Sequence, residues 1–285
     1  MEITLSSFLT YLSAGFIQRA FIIGIIVAML CSILSVYIVL KRLSLIGDGL
    51  AHTAYGGIAI GLAVGGFVPQ FASVSPVLVG GALVVLGSIM ITKTIRSAKF
   101  TGDAAVAVFL TLGLSTGVFV TSVTLNYGFN LNALLFGSIL LVTWSQIYLA
   151  AFFLAVTIVV VVVFYKPLLY TMFSEVQARA SGIVTWKFDY LLAVLAGLTV
   201  IVSIPIVGIL LISSLLVLPA LSSIQISRSF KQAIFISPIF GLASVILGMF
   251  FSIIVPNAAP GGTIVLVSLA LLLAAMVAKK IRSLR

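Results

Sequence analysis

Charge is what this chain has least of. Charged residues make up 7% of its 285 positions, and only five of them are acidic. Soluble domains carry about a quarter charged residues, so a water-facing surface of ordinary size cannot be built here. Cysteine is equally scarce. Cys31 is the only one. That excludes an intrachain disulfide, and its place in an apolar run makes it a packing residue. Histidine also occurs once, at His52. A His-Glu-x-x-His metalloprotease helix is therefore excluded, and no Gly-x-Ser-x-Gly nucleophile turn occurs either. An intramembrane enzyme would have only a lone Asp/His pair to work with. Residues 87–94 end in Lys93-Thr94 like a phosphate loop, but no glycine precedes the lysine and the run continues an apolar stretch, not a strand. ATP hydrolysis by this chain is excluded on that ground. The opening Met-Glu-Ile-Thr-Leu-Ser-Ser lacks the basic region of a secretory signal.

What is present is apolar. Hydrophobic residues reach 62% and the mean hydropathy is +1.39. A membrane-spanning helix needs about 20 apolar residues. Nine stretches qualify: 17–40, 45–66, 73–95, 103–125, 145–165, 188–203, 205–225, 233–254 and 262–279. The reading is an all-α polytopic membrane protein, one transmembrane domain over 1–285. The pair 188–225 is either two helices broken near Pro205 or one kinked element, which would give eight spans. Residues 131–140 are too short to cross and read as a re-entrant or interfacial helix. The outer gaps read as turns around Pro69, Gly128 and Pro256–Gly262.

The net charge of +10 is placed for a membrane, not for nucleic acid. Basic residues cluster at Lys41/Arg42, Lys93/Arg96/Lys99, Lys166, Arg179/Lys187, Arg228/Lys231 and Lys279/Lys280/Arg282/Arg285, that is, at every second gap. This is the positive-inside pattern, and only Arg19 stands outside it. It predicts a cell-membrane protein with an extracellular N-terminal segment (1–16), a cytoplasmic loop (166–187) and a cytoplasmic tail (280–285).

Two segments break the apolar monotony. In the first, Asp48 and His52 are four apart and share one helical face. Counting ~1.5 Å per residue from Arg42 puts His52 ~15 Å into the membrane, where ionisable groups mark substrate or ion paths. A carboxylate with an imidazole is half of a transition-metal site. On spacing alone a second reading stands level with this one. Asp48 would cap a helix beginning near Gly49, and His52 would be a neutral core histidine bonded to a neighbouring carbonyl. Gly57, Gly61 and Gly65 follow as a small-xxx-small ridge for close helix packing. In the second segment, Ser174 and Gln177 form a capping box and Gly182 supplies a stop. Between them fits a helix of about two turns that includes Glu175 and Ala178. A short capped helix in such a loop suggests a docking element, but by pattern alone the preferred reading is an ordinary interhelical loop with a stray turn of helix.

With these residues in place, the chain resembles the membrane permeases of the zinc/manganese/iron (ABC-3) family of ABC importers. The run from Lys41 through Asp48 to His52, with the glycines after it, is similar to that family's Asp-x-x-x-His signature. Phe173–Gly182 resembles its cytoplasmic loop, with Ser174 where the family has an aspartate. Val207 to Ala220 resembles its late helix with an internal proline at Pro219. The resemblance covers essentially the whole chain. It implies a fold like the type II ABC importers and a homodimer bound to two cytoplasmic ATPase subunits. It further implies an extracellular solute-binding protein delivering manganese, zinc or iron, and no permanent cofactor. It makes Asp48 and His52 transient metal ligands, and Ser174, Glu175, Gln177, Ala178 and Gly182 the ATPase-coupling helix. The competing reading is a self-sufficient secondary transporter or channel for divalent cations. Such proteins use intramembrane carboxylates for proton relay, and here only Asp48, Asp103 and Asp189 come near the membrane.

Overall fold

The computed structural model describes residues 15–67, 75–97, 100–124, 137, 142–255 and 258–283. In chain order the helices are α1 (Gly15–Leu40), α2 (Ile46–Phe67), α3 (Pro76–Arg96), α4 (Gly102–Val123), α5 (Trp144–Val163), α6 (Tyr165–Phe173), α7 (Glu175–Ala180), α8 (Thr185–Val207), α9 (Ile209–Leu215), α10 (Leu218–Ile226), α11 (Phe230–Ile254) and α12 (Pro260–Ser283). No strand occurs among the described residues. Among the described residues, nine spans are long and apolar enough to cross a membrane, with α9 and α10 together forming the seventh. Helix is the form lipid permits, because every backbone N–H and C=O must be satisfied within the segment. The expected turns around Pro69 and Gly128 fall outside the described residues, as does the expected short helix 131–140 apart from Gly137.

Burial sorts the spans. α1 and α8 form the centre, whereas α4, α5 and α12 are mostly uncovered and apolar. A helix uncovered in this way is soluble in lipid tails, not in water. Trp144 and Tyr148 stack at the start of α5, and Trp186 meets Tyr190 edge-on at the start of α8. Amphipathic rings of this kind settle at membrane–water interfaces.

Small residues set the helix spacing. α2 has seven glycines in 22 residues, a composition that would melt a helix in water at about 1 kcal/mol each. In the membrane they let backbones approach. A Cβ on Gly57 would lie 2.8 Å from Gly80 Cα, and one on Gly61 would lie 2.9 Å from Pro76 Cα, both on α3. Two thirds of the expected ridge therefore contacts α3, while Gly65 is half-buried near the helix end. A second ridge was not anticipated. Gly56 faces Gly113 of α4 across 2.6 Å from the would-be Cβ to the carbonyl oxygen, and Gly117 accommodates the Tyr55 ring. The Gly113-x-x-x-Gly117 spacing in α4 was the sequence signal for it. Between α1 and α11 the contact is polar. Ser35 and Ser237 hydroxyls lie 3.1 Å apart, and Ser237 Oγ donates to the Ser32 carbonyl at 2.8 Å.

The expected break near Pro205 is displaced. Pro205 lies within the last turn of α8, and the chain breaks at Gly208, with φ 80° and ψ 165°. A proline disturbs the turn before it, but a change of direction needs a residue tolerant of positive φ. Gly208 supplies that, so the nine-span reading holds with its boundary three residues later. The late helix is interrupted again between α9 and α10. Pro219 does not kink a continuous helix but stands in the first turn of α10, where its missing N–H costs nothing.

Candidate metal path and coupling loop

Asp48 and His52 both belong to α2, one turn apart and half-buried. Asp48 does not cap the helix. α2 begins at Ile46, so Asp48 stands inside the first turn, where its charge complements the positive helix end. The depth count from Arg42 also needs correction. Residues 41–45 form a turn, with Arg42 at φ 57°, and do not rise like a helix. Counted from Ile46, His52 lies ~9 Å along the helix, in its first third and short of the midplane.

His52 Nδ1 is buried and has no hydrogen-bond partner among the described residues. The carbonyl bond expected of a purely structural histidine is therefore not made by this nitrogen. Buried polar atoms are almost always paired, so an orphaned imidazole nitrogen one turn from a carboxylate fits a metal ion as its missing partner. No group of three or more His, Cys, Asp or Glu side chains gathers among the described residues. A metal held at Asp48 and His52 would therefore find no third His, Cys, Asp or Glu ligand grouped with them among the described residues of one chain. The backbone beside it is crowded. Gly47 packs on Leu216, with Ser213 Cα within 3.6 Å of its would-be Cβ, which brings the interrupted α9–α10 junction against the first turn of α2.

The loop 166–187 holds two helices where one was expected. α6 runs nine residues before the chain turns at Ser174. α7 then starts as anticipated. Ser174 Oγ accepts from the Gln177 backbone N–H at 3.3 Å, which is the serine half of the expected box. It is six residues long, slightly under two turns. Its end is a Schellman motif: Gly182 N–H donates to the Arg179 carbonyl and Ile183 N–H to the Ala178 carbonyl, with Gly182 at φ 78°. Ala178 is fully buried beneath the helix.

A charge cluster at this end was not singled out from sequence. Glu175 accepts from Arg179 at 2.5 Å and from Thr185 Oγ1 at 3.0 Å, and Arg96 Nη1 stands 3.5 Å from it. Arg96 also pairs with Asp189 on α8, and Asp189 pairs with Lys41 at the end of α1. Burial is the largest single influence on Glu175 and raises its carboxyl. The hydrogen bonds from Arg179 and Thr185, with the charges of Arg179 and Arg96, outweigh it and hold the group below the ordinary carboxylate range. These residues are far apart in sequence, so only the observation that Asp189 lies near basic inner ends hinted at the cluster.

Spanning helices with internal breaks, an ionisable pair on one of them and a capped helix in a connecting loop are the parts of a membrane transport protein. Residues 13–279 match the ABC 3 transport family, and the chain belongs to that family. The manganese transport system membrane protein MntC of Halalkalibacterium halodurans is 26% identical over 257 residues, 90% of this chain and 85% of that protein. The high-affinity zinc uptake system membrane protein ZnuB of Haemophilus influenzae is 26% identical over 249 residues, 87% of this chain and 92% of that protein. Among solved structures, PsaBC from Streptococcus pneumoniae in complex with Fab superposes with a TM-score of 0.80 at 28% identity, covering 95% of both chains.

Proposed function

We propose that this chain is the transmembrane subunit of an ATP-driven importer that carries a divalent transition-metal ion, manganese or zinc, into the cytoplasm. The observation that carries the reading is the orphaned, buried His52 Nδ1 one turn from Asp48 in a chain of the ABC 3 transport family. Both metals accept an imidazole and a carboxylate, which agrees with relatives named for manganese and for zinc. Zinc favours four ligands. A second copy of the chain, related by a twofold axis, would supply another Asp48 and His52. A two-ligand half-site on each copy suits a cargo that must leave again.

The remaining parts follow the same reading. α7 is the contact for a cytoplasmic ATPase subunit, which would perform the hydrolysis. Val176 on α7 is 79% exposed and Phe173 beside it 68% exposed. Exposed apolar side chains at a water-facing loop mark a partner surface. An extracellular binding protein would deliver the ion to the outer side. A proton-driven secondary transporter is disfavoured, because Asp189 is held between Lys41 and Arg96 and is not free to relay protons.

The test is metal uptake by the reconstituted complex. Asp48→Ala and His52→Ala should each abolish Mn2+ and Zn2+ uptake while the complex still assembles with its ATPase. Wild-type uptake by either variant would make the pair structural.

A further inference from the structure

We propose that Arg96 is a positioning residue that couples α7 to the metal-bearing part of the membrane domain. The proposal rests on the reading of α7 as the ATPase contact. Arg96 is the last residue of α3, and α3 packs along α2, the helix of Asp48 and His52. Its guanidinium reaches two carboxylates on two other elements, Glu175 of α7 at 3.5 Å and Asp189 of α8. Asp189 in turn holds Lys41, and Lys41 opens the five-residue turn that leads into α2. A displacement of α7 therefore has a direct polar route to α3, to α8 and to the entry of α2.

The way this region is held together gives that route its importance. α7 packs chiefly on its chain neighbours α6 and α8, and the Arg96–Glu175 pair ties it to α3. Next to the cluster lies a cavity of about 460 Å3, lined by Tyr37, Thr92, Thr171, Ala193 and Ala196 along with the charged groups themselves. Elements that are close-packed move as one body. Across a cavity they are tied by the charges, which can exchange partners as the elements shift. A planar guanidinium with five donors can hold two carboxylates in fixed directions, which a lysine cannot do.

The charge arrangement also makes the role testable without unfolding the protein. In Arg96→Gln, Asp189 keeps Lys41, and Glu175 keeps Arg179 and Thr185, so no buried carboxylate is left uncompensated. Asp189→Asn is a poorer choice, since it would leave Lys41 and Arg96 facing each other.

The experiment uses the permease with its ATPase and binding protein in liposomes. Mn2+ and Zn2+ uptake and ATP hydrolysis are measured in the same vesicles. Arg96→Gln should hydrolyse ATP at the wild-type rate but move about tenfold fewer ions per ATP, the scale of an ordinary coupling between sites. Arg96→Lys should fall between the two. Glu175→Gln severs the same contact from the half-exposed side and should also uncouple, which decides the matter if Arg96→Gln fails to assemble. A wild-type ion-to-ATP ratio in the assembled variants overturns the role of Arg96. A wild-type complex that moves neither ion instead overturns the importer reading and leaves the two failures distinct.

Discussion

Gly113 of α4 lies directly against the main chain of His52: a Cβ built on Gly113 would stand 2.4 Å from the His52 carbonyl oxygen and 2.6 Å from Thr53 N. The obstacle is backbone, so no side-chain rotation relieves it. Gly113→Ala must push α4 off α2 or tilt α2 locally. We expect a loss of about 1–3 kcal/mol, typical of overpacking, and reduced metal uptake because the imidazole is displaced. Thermal unfolding in detergent and uptake in liposomes measure the two effects. Wild-type values for both would show that α4 does not press on His52.

Gly61 makes the equivalent contact on the α3 side, with Pro76 Cα at 2.9 Å and Val79 Cβ at 3.0 Å from a would-be Cβ. Gly61→Leu should separate α2 from α3 and cripple assembly or expression, since close approach is the source of packing energy between membrane helices. If the variant is as stable as wild type, the ridge faces lipid or an open cavity.

Proline at Ala178 should dismantle α7. The substitution removes the N–H that donates to the Ser174 carbonyl at 3.0 Å and costs about 3 kcal/mol inside a helix. Transport should uncouple from ATP hydrolysis. Unchanged uptake and unchanged ATPase stimulation in the Ala178 variant would remove α7 from the coupling role.

The Glu175 carboxyl, held below its ordinary range, gives a pH dependence of definite sign. A group whose folded pKa is depressed contributes stability above its unfolded pKa and loses it as pH falls through the folded value. The stability gap between wild type and Glu175→Gln should therefore be constant near neutrality. It should close only on acidification below about pH 4, the usual range for glutamate. Unfolding temperatures across that range check it, and a gap that widened on acidification would contradict the assignment.

Orientation is testable by labelling. The positive-inside rule would put fourteen of fifteen basic residues on the cytoplasmic side, so we expect the N-terminus outside and the C-terminus inside. In a variant with Cys31 replaced, a cysteine placed at Ser283 should react with a membrane-impermeant reagent only after the cells are opened. Reaction in intact cells would invert the topology.

The spans, the shared face of Asp48 and His52, and the caps of α7 were legible because each depends on local chemistry. An apolar run of spanning length forces a helix in lipid, four-residue spacing puts Asp48 and His52 on one face, and Ser174 and Gly182 end α7 with their own backbone bonds. Where local logic misled, the cause was also local. Pro205 signals a break, but the chain turns only where Gly208 permits positive φ, and the count from Arg42 treated a turn as a helix.

The sequence by itself thus determined that this is an all-α membrane protein of eight or nine spans, with an ionisable pair on one face of α2 and a capped helix between basic residues, because hydropathy, charge placement and capping act over a few residues. Only the tertiary structure decided which glycines of α2 meet α3 and which meet α4, that Gly47 abuts the α9–α10 interruption, and that Lys41, Arg96, Glu175 and Asp189 share one cluster. Those partners are separated by up to 148 positions, and no local rule of spacing or propensity brings Lys41 to Asp189; the packing of α1, α3 and α8 around a common centre does.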